Sequence, residues 1–145
     1  MILRGEIINP QNSKKYNFYK DGGLFISNGK VIDIGNFVSM KRKYKDERIV
    51  ETDGTILPGF CDVHLHWVQN RVKGSFSGNE LLPWLKKYIW KEESKFKDKK
   101  YTEKMLKIFY KELDAIGIKH GMIYSSVHEH AAEMAIEEGI KCGDF

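Results

Sequence analysis

Ile56-Leu57-Pro58-Gly59-Phe60-Cys61-Asp62-Val63-His64-Leu65-His66 is the stretch that decides how this chain is read. Pro58-Gly59 interrupts the chain, and the run from Phe60 reads as one strand. Alternate strand residues share a face. Phe60, Asp62, His64 and His66 therefore point one way, and Cys61, Val63 and Leu65 the other. Histidines at i and i+2 lie about 6–7 Å apart at Cα. Both can reach one ion at Zn–N distances of roughly 2.0–2.1 Å. Asp62 shares their face and is placed to orient an imidazole from outside the ligand shell. A lone His-x-His pair is a weak metal signal, and catalytic zinc usually takes three protein ligands. Position raises its weight: the pair ends a strand and precedes a loop, where an α/β barrel carries its chemistry.

Upstream, residues 1–57 read as a small β module. Gly23-Leu24-Phe25-Ile26-Ser27, Asn28-Gly29 and Lys30-Val31-Ile32-Asp33-Ile34-Gly35 form a hairpin signal. Asn-Gly accepts the positive φ of a type I′ turn. Further strands are expected at Ile2–Ile8 and Arg48–Val50, with a turn at Asp53-Gly54 before Ile56-Leu57. Downstream, a loop covers Gly74-Ser75-Phe76-Ser77-Gly78. A helix is expected from an Asn79 cap to Phe96, with Pro83 in its opening turn and Leu81, Leu82, Trp84, Leu85, Tyr88 and Ile89 recurring at helical spacing. Another spans Thr102 to Ile116, with a stripe of Met105, Leu106, Phe109, Leu113 and Ile116 and a stop at Gly117. A second strand follows at Gly121–Val127, then a helix at Glu129–Glu138 with Ala132, Ala135 and Ile136 inward. Gly139 ends it and a third strand starts at Ile140-Lys141-Cys142. Strands alternating with helices imply a parallel sheet.

The chain has 145 residues, 41% hydrophobic and 30% charged, which fits a foldable chain rather than a disordered one. No run approaches the roughly 18 apolar residues of a membrane span. The opening Met1–Glu6 carries charges at Arg4 and Glu6 and no apolar core, unlike a secretory signal. Cys61 and Cys142 are too few for a disulfide scaffold, and the cytoplasm is the expected compartment. The net charge of +4 is concentrated: from Arg71 to Lys111 there are 12 Lys/Arg against five Asp/Glu. Because these lysines interleave with the apolar pattern, they read as solvated helix faces rather than a nucleic-acid surface. A complete eight-stranded barrel needs about 200 residues, so the expected fold class is α/β: a β module at 1–57, then at 58–145 the first two to three units of an incomplete (β/α)8 barrel.

The stretch from Ile56 to His66 resembles the first barrel strand of the amidohydrolase superfamily, Pro-Gly-hydrophobic-x-Asp-x-His-x-His. The Asn-Gly-Lys-Val-Ile-Asp-Ile-Gly of the β module resembles that superfamily's composite β domain. More narrowly, His64-Leu65-His66-Trp67-Val68-Gln69 is similar to the His-x-His-x-x-Gln of guanine deaminases. So are Leu81-Leu82-Pro83-Trp84-Leu85-Lys86-Lys87-Tyr88 with Glu92-Glu93, and Ser126-Val127-His128. The resemblance implies His64 and His66 as metal ligands for zinc, iron being compatible too. It implies Gln69 as a purine contact, with Trp67 and Val68 near the pocket, and hydrolysis of guanine to xanthine and ammonia. The remaining histidines, aspartate, His-x-x-Glu glutamate and arginine of that family have no counterpart here. The tail Cys142-Gly143-Asp144-Phe145 also departs from an apolar third strand. No catalytic residue is assigned within the chain.

His128 and His130 form a second His-x-His; His128 reads as a helix-start or outer-shell residue and His120 as a solvated loop residue. Trp84, Tyr88 and Trp90 read as core or subunit contacts, and Cys61 as packing. Two readings stay open. In one, the chain is the N-terminal portion of a zinc-dependent guanine deaminase, inactive alone, taking a purine-like substrate once completed. In the other, it is a non-catalytic fragment that at most binds metal or self-associates. A related deaminase or chlorohydrolase acting on another amino-substituted ring is a close variant. Neither nucleic acid nor membrane is an expected partner; a homo-oligomer or a missing C-terminal part is.

Overall fold

The computed structural model describes residues 1–75, 78 and 80–142. The chain forms two compact units, Met1–Pro58 and Gly59–Phe145. Among the described residues, no helix is long and apolar enough to cross a membrane.

The first unit is a four-stranded sheet in the order β3-β2-β1-β4. Its strands are β1 (Ile2–Asn12), β2 (Lys15–Ser27), β3 (Lys30–Asn36) and β4 (Ile49–Ile56). β2 pairs antiparallel with both β1 and β3, and β4 pairs parallel with β1. The hairpin turns where expected: Asn28 and Gly29 have φ of 51° and 72°, the left-handed pair a type I′ turn requires. Asp53-Gly54 makes no turn. β4 runs through it, and the ladder with β1 absorbs the irregularity between Arg4 and Glu6. The sequence reading missed α1 (Phe37–Lys43), whose Phe37 and Met40 bury beside Ile2 and Phe25. Phe37, Met40 and Tyr44 recur at i, i+3 and i+7, the one signal that could have found it. Tyr44 stacks on Phe25 with centroids 3.8 Å apart.

In the second unit, β5 (Phe60–His66) pairs parallel with β6 (Ile118–Tyr124). A 3₁₀ turn at Trp67–Val72 follows β5. The expected first helix is a helical run of changing pitch: α2 (Leu81–Trp84), a π-helical turn (Leu85–Ile89), α3 (Trp90–Glu93) and a 3₁₀ turn (Ser94–Lys97). The proposed Asn79 cap, Phe76, Ser77 and 143–145 lie outside the described residues. Leu81 and Leu82 are exposed rather than inward, and Ile89, Glu92 and Phe96 are the buried residues of this run. α4 (Lys99–Ala115) is capped by Asp98, whose carboxylate accepts from the Tyr101 backbone N–H at 2.9 Å. Gly117, at φ 76°, ends it in the left-handed conformation that glycine adopts cheaply.

Toward the end of the chain the elements depart from expectation. β6 lies at Ile118–Tyr124, not Gly121–Val127, and Val127 is almost wholly exposed. α5 (Glu129–Cys142) runs through Gly139 and takes up Ile140-Lys141-Cys142, so no third strand starts there. Gly139 has no positive φ, so it provides no left-handed stop. Ala131 and Ala135 face inward and Ile136 outward. The core is Trp67, Val68, Phe96, Met105, Leu106, Phe109, Tyr110, Leu113, Ala131 and Ala135. Ile116, expected to extend the α4 stripe, is exposed. Tyr110 donates its hydroxyl to the Ala135 carbonyl at 2.7 Å, tying α4 to α5. Burial pushes that phenol up to about 12.

Glu92 is a buried carboxylate, only 4% exposed. Lys95 donates to it at 2.5 Å, and the Tyr101 hydroxyl donates to its other oxygen. Burial pushes the Glu92 pKa up, but the Lys95 and Tyr101 hydrogen bonds and the Lys95 charge outweigh it and leave the group below the ordinary carboxylate value. A depressed folded-state pKa contributes stability above the unfolded value of 4.5, and this is lost as pH falls through the folded value. Glu92→Gln is therefore expected to lower stability at neutral pH by about 1.5–3 kcal/mol, the range for hydrogen bonds to a charged group. It should also flatten the acid limb of a urea-unfolding series below pH 4.5. An acid limb identical to that of the unsubstituted chain would refute this.

Candidate functional site

β5 delivers His64 and His66 to its C-terminal end, and β6 runs parallel beside it, so the same ends of both strands lie together. The two imidazoles converge. Their Nε2 atoms are 3.1 Å apart and their ring centroids 5.1 Å apart. Between neutral rings this is an N–H···N hydrogen bond, one ring donating and the other accepting. The same separation lets both nitrogens reach a single ion at roughly 2.0–2.1 Å. Among the described residues, no third His, Cys, Asp or Glu joins them in a metal-holding group.

Asp62 borders the same cavity as the two histidines, but its hydrogen bond is not to a ring. The β5–β6 ladder is irregular between Asp62 and Leu65. The Asp62 carboxylate accepts from the His64 backbone N–H at 2.9 Å rather than from an imidazole. The irregularity interrupts the regular ladder there, and the neighbouring carboxylate supplies the acceptor. Asp62 thus steadies the backbone of the histidine pair and not a ring.

The 3₁₀ turn after β5 places Gln69. Trp67 and Val68 are both fully buried and anchor that turn in the core. Trp67 packs edge-on to Phe96 at 4.7 Å and donates its indole N–H to Ser125 Oγ at 3.1 Å. It lies in the core, where the sequence reading set it beside the pocket. Gln69, one turn on, brings its amide nitrogen to 3.3 Å from His66 Nδ1 and donates to Glu93 Oε1 at 3.0 Å. Glu93 comes from α3, so helix and strand meet at this amide. Asp62, His64, His66, Gln69, Trp84 and Glu112 border one cavity of about 460 Å³.

Tyr124 was not singled out by the sequence reading. Its ring stacks on His66 with centroids 4.8 Å apart and planes at 16°, and it lies 5.0 Å from His64. It lay in the middle of the expected strand Gly121–Val127, and only the structure ends β6 at this residue. His128 is at the start of α5: its carbonyl accepts from the Ala131 N–H at 2.9 Å, and its ring lies 6.0 Å from that of His130. His130 donates to the Phe96 carbonyl at 2.8 Å. His120 is exposed as expected, but it lies within β6 rather than a loop, whereas Cys61, expected to pack, is also exposed.

Over 134 residues the chain is 31% identical to the guanine deaminase of Escherichia coli K12, covering 90% of this chain and 30% of that enzyme. The chain is a homologue of guanine deaminases. These belong to the amidohydrolase family, as do the 5-methylthioadenosine/S-adenosylhomocysteine deaminases among its relatives. One of these, from Thermodesulfovibrio yellowstonii, is 31% identical over 98 residues, 66% of this chain and 22% of its own length. The solved guanine deaminase of C. acetobutylicum, with guanine in its active site, superposes with a TM-score of 0.85 at 28% identity. That superposition covers 97% of this chain and 33% of the enzyme. The chain thus spans about a third of the guanine deaminases it matches. No family model matches it.

Proposed function

We propose that the chain is the metal-binding opening of a guanine deaminase-type amidohydrolase, in which His64 and His66 supply two ligands to a zinc ion. The observation that carries this is the convergence of the two Nε2 atoms at 3.1 Å beside a cavity that also holds Gln69. Iron is compatible with the same donors. When bound, such an ion acts as a Lewis acid and makes water nucleophilic at neutral pH. Gln69 turns its amide nitrogen to Glu93, leaving its carbonyl oxygen to accept an N–H from a purine edge. Val63 and Met122 stand exposed on the paired strands β5 and β6. They support reading this pair as the first strands of a larger parallel barrel, since parallel sheets are normally covered on both faces.

A chimera in which these 145 residues replace the matching third of the Escherichia coli enzyme tests this reading. It is expected to release ammonia from guanine, and to lose that activity with His64→Ala/His66→Ala. The similarity to the Thermodesulfovibrio enzyme favours a second reading, in which the substrate is an adenine-type thioether nucleoside. A chimera that deaminates 5-methylthioadenosine and leaves guanine untouched would select it. Among the described residues the chain alone brings two ligands together, against the three usual at catalytic zinc. With zinc added, it is expected to release no ammonia from guanine above the His64→Ala/His66→Ala control. Release above that control would overturn the expectation.

A further inference from the structure

We infer that Tyr124 is the positioning residue that holds the His64 and His66 imidazoles in the convergent arrangement a divalent cation needs. This rests on reading the pair as metal ligands. The parallel ladder pairs His66 with Tyr124 directly, so the two side chains leave the sheet on one face as cross-strand neighbours. The Tyr124 ring covers His66 nearly face to face and reaches His64 at 5.0 Å. Each imidazole has two rotatable bonds, and most of their combinations keep the Nε2 atoms apart. His64 is exposed and has no side-chain hydrogen bond except to His66 among those the structure shows. A wall on one side removes the divergent rotamers before any ion arrives, which is preorganisation.

Tyr124 is itself held. Ile123 before it packs on the core, and Ser125 after it accepts the Trp67 indole N–H. The wall is therefore anchored through its backbone although Tyr124 is 46% exposed. The aromatic face is what the geometry uses, so phenylalanine should substitute and an aliphatic residue should not.

The test uses the 145-residue chain without metal, followed by zinc titration with a competing chromophoric chelator. In the unsubstituted chain, proton NMR is expected to show a nuclear Overhauser contact between the Tyr124 and His66 rings. Tyr124→Leu should move the His64 and His66 ring signals downfield, as a ring current is lost, and weaken zinc binding about 10-fold, the lower range for loss of an outer partner. Tyr124→Phe should preserve both. Unchanged ring signals and affinity in Tyr124→Leu, or equal losses in Tyr124→Phe, would overturn the assignment. Should Tyr124→Leu not fold, the contact in the unsubstituted chain and the phenylalanine variant still decide, and absence of the contact overturns it. An unsubstituted chain that binds no zinc defeats the metal reading itself, whereas intact zinc binding with indifferent ring signals defeats only the role of Tyr124.

Discussion

The double substitution His64→Ala/His66→Ala is expected to abolish zinc binding by this chain. Loss of an outer partner alone typically weakens metal affinity about 10–100-fold, and here both donors go, so the loss should exceed about 100-fold. Among the described residues no group of three or more His, Cys, Asp or Glu stands ready to hold the metal in their place. The fold should survive. His64 is exposed and His66 half-buried, and neither belongs to the core. Surface changes of this kind usually stay within about 0.5 kcal/mol. Equilibrium dialysis against zinc, with far-ultraviolet circular dichroism as the folding control, measures both effects. Equal zinc content in a folded double variant would show that the pair is not the site.

Trp67→Ala is expected to destabilise the second unit by about 3–5 kcal/mol, the cost of deleting a large buried aromatic side chain. Trp67 is fully buried, packs on Phe96 and Phe109, and donates its indole N–H to Ser125. Small domains have total stabilities of about 5–15 kcal/mol, so this one substitution could remove most of the margin. Trp67→Phe keeps much of the ring and should cost less. Denaturant unfolding followed by the remaining tryptophans, Trp84 and Trp90, reads the change. The measurement also separates two roles for the residue. A core tryptophan loses stability when cut back, whereas one lining only a ligand pocket would leave the unfolding midpoint in place.

Much of the architecture was legible because it depends on local chemistry. Asn28-Gly29 announced its turn because few residues accept positive φ, and Gly117 announced a helix end for the same reason. The apolar period of 105–113 marked α4 because a helix repeats every 3.6 residues. Where a glycine signal misled, the neighbours decided. Gly139 lies inside α5, buried against the core, and Gly54 lies within a strand that pairs with β1. The length of β2 was invisible and α1 was only faintly marked by the spacing of Phe37, Met40 and Tyr44, because both depend on pairing and packing partners distant in sequence.

The site divides in the same way. His-x-His at the end of a strand was readable from residue type and spacing alone, since alternation by itself brings two imidazoles to one face. That Asp62 serves a backbone amide, that Trp67 is core, that Glu93 holds Gln69 and that Tyr124 covers the imidazoles were decided by tertiary structure. Each of those facts depends on a ladder register, a bulge or a helix meeting a strand: Asp62 on the irregularity in β5, Glu93 on a helix 24 residues from Gln69, and Tyr124 on the pairing of β6 with β5. A sequence fixes which groups can bind a metal or a purine edge; only the folded chain decides which of them meet.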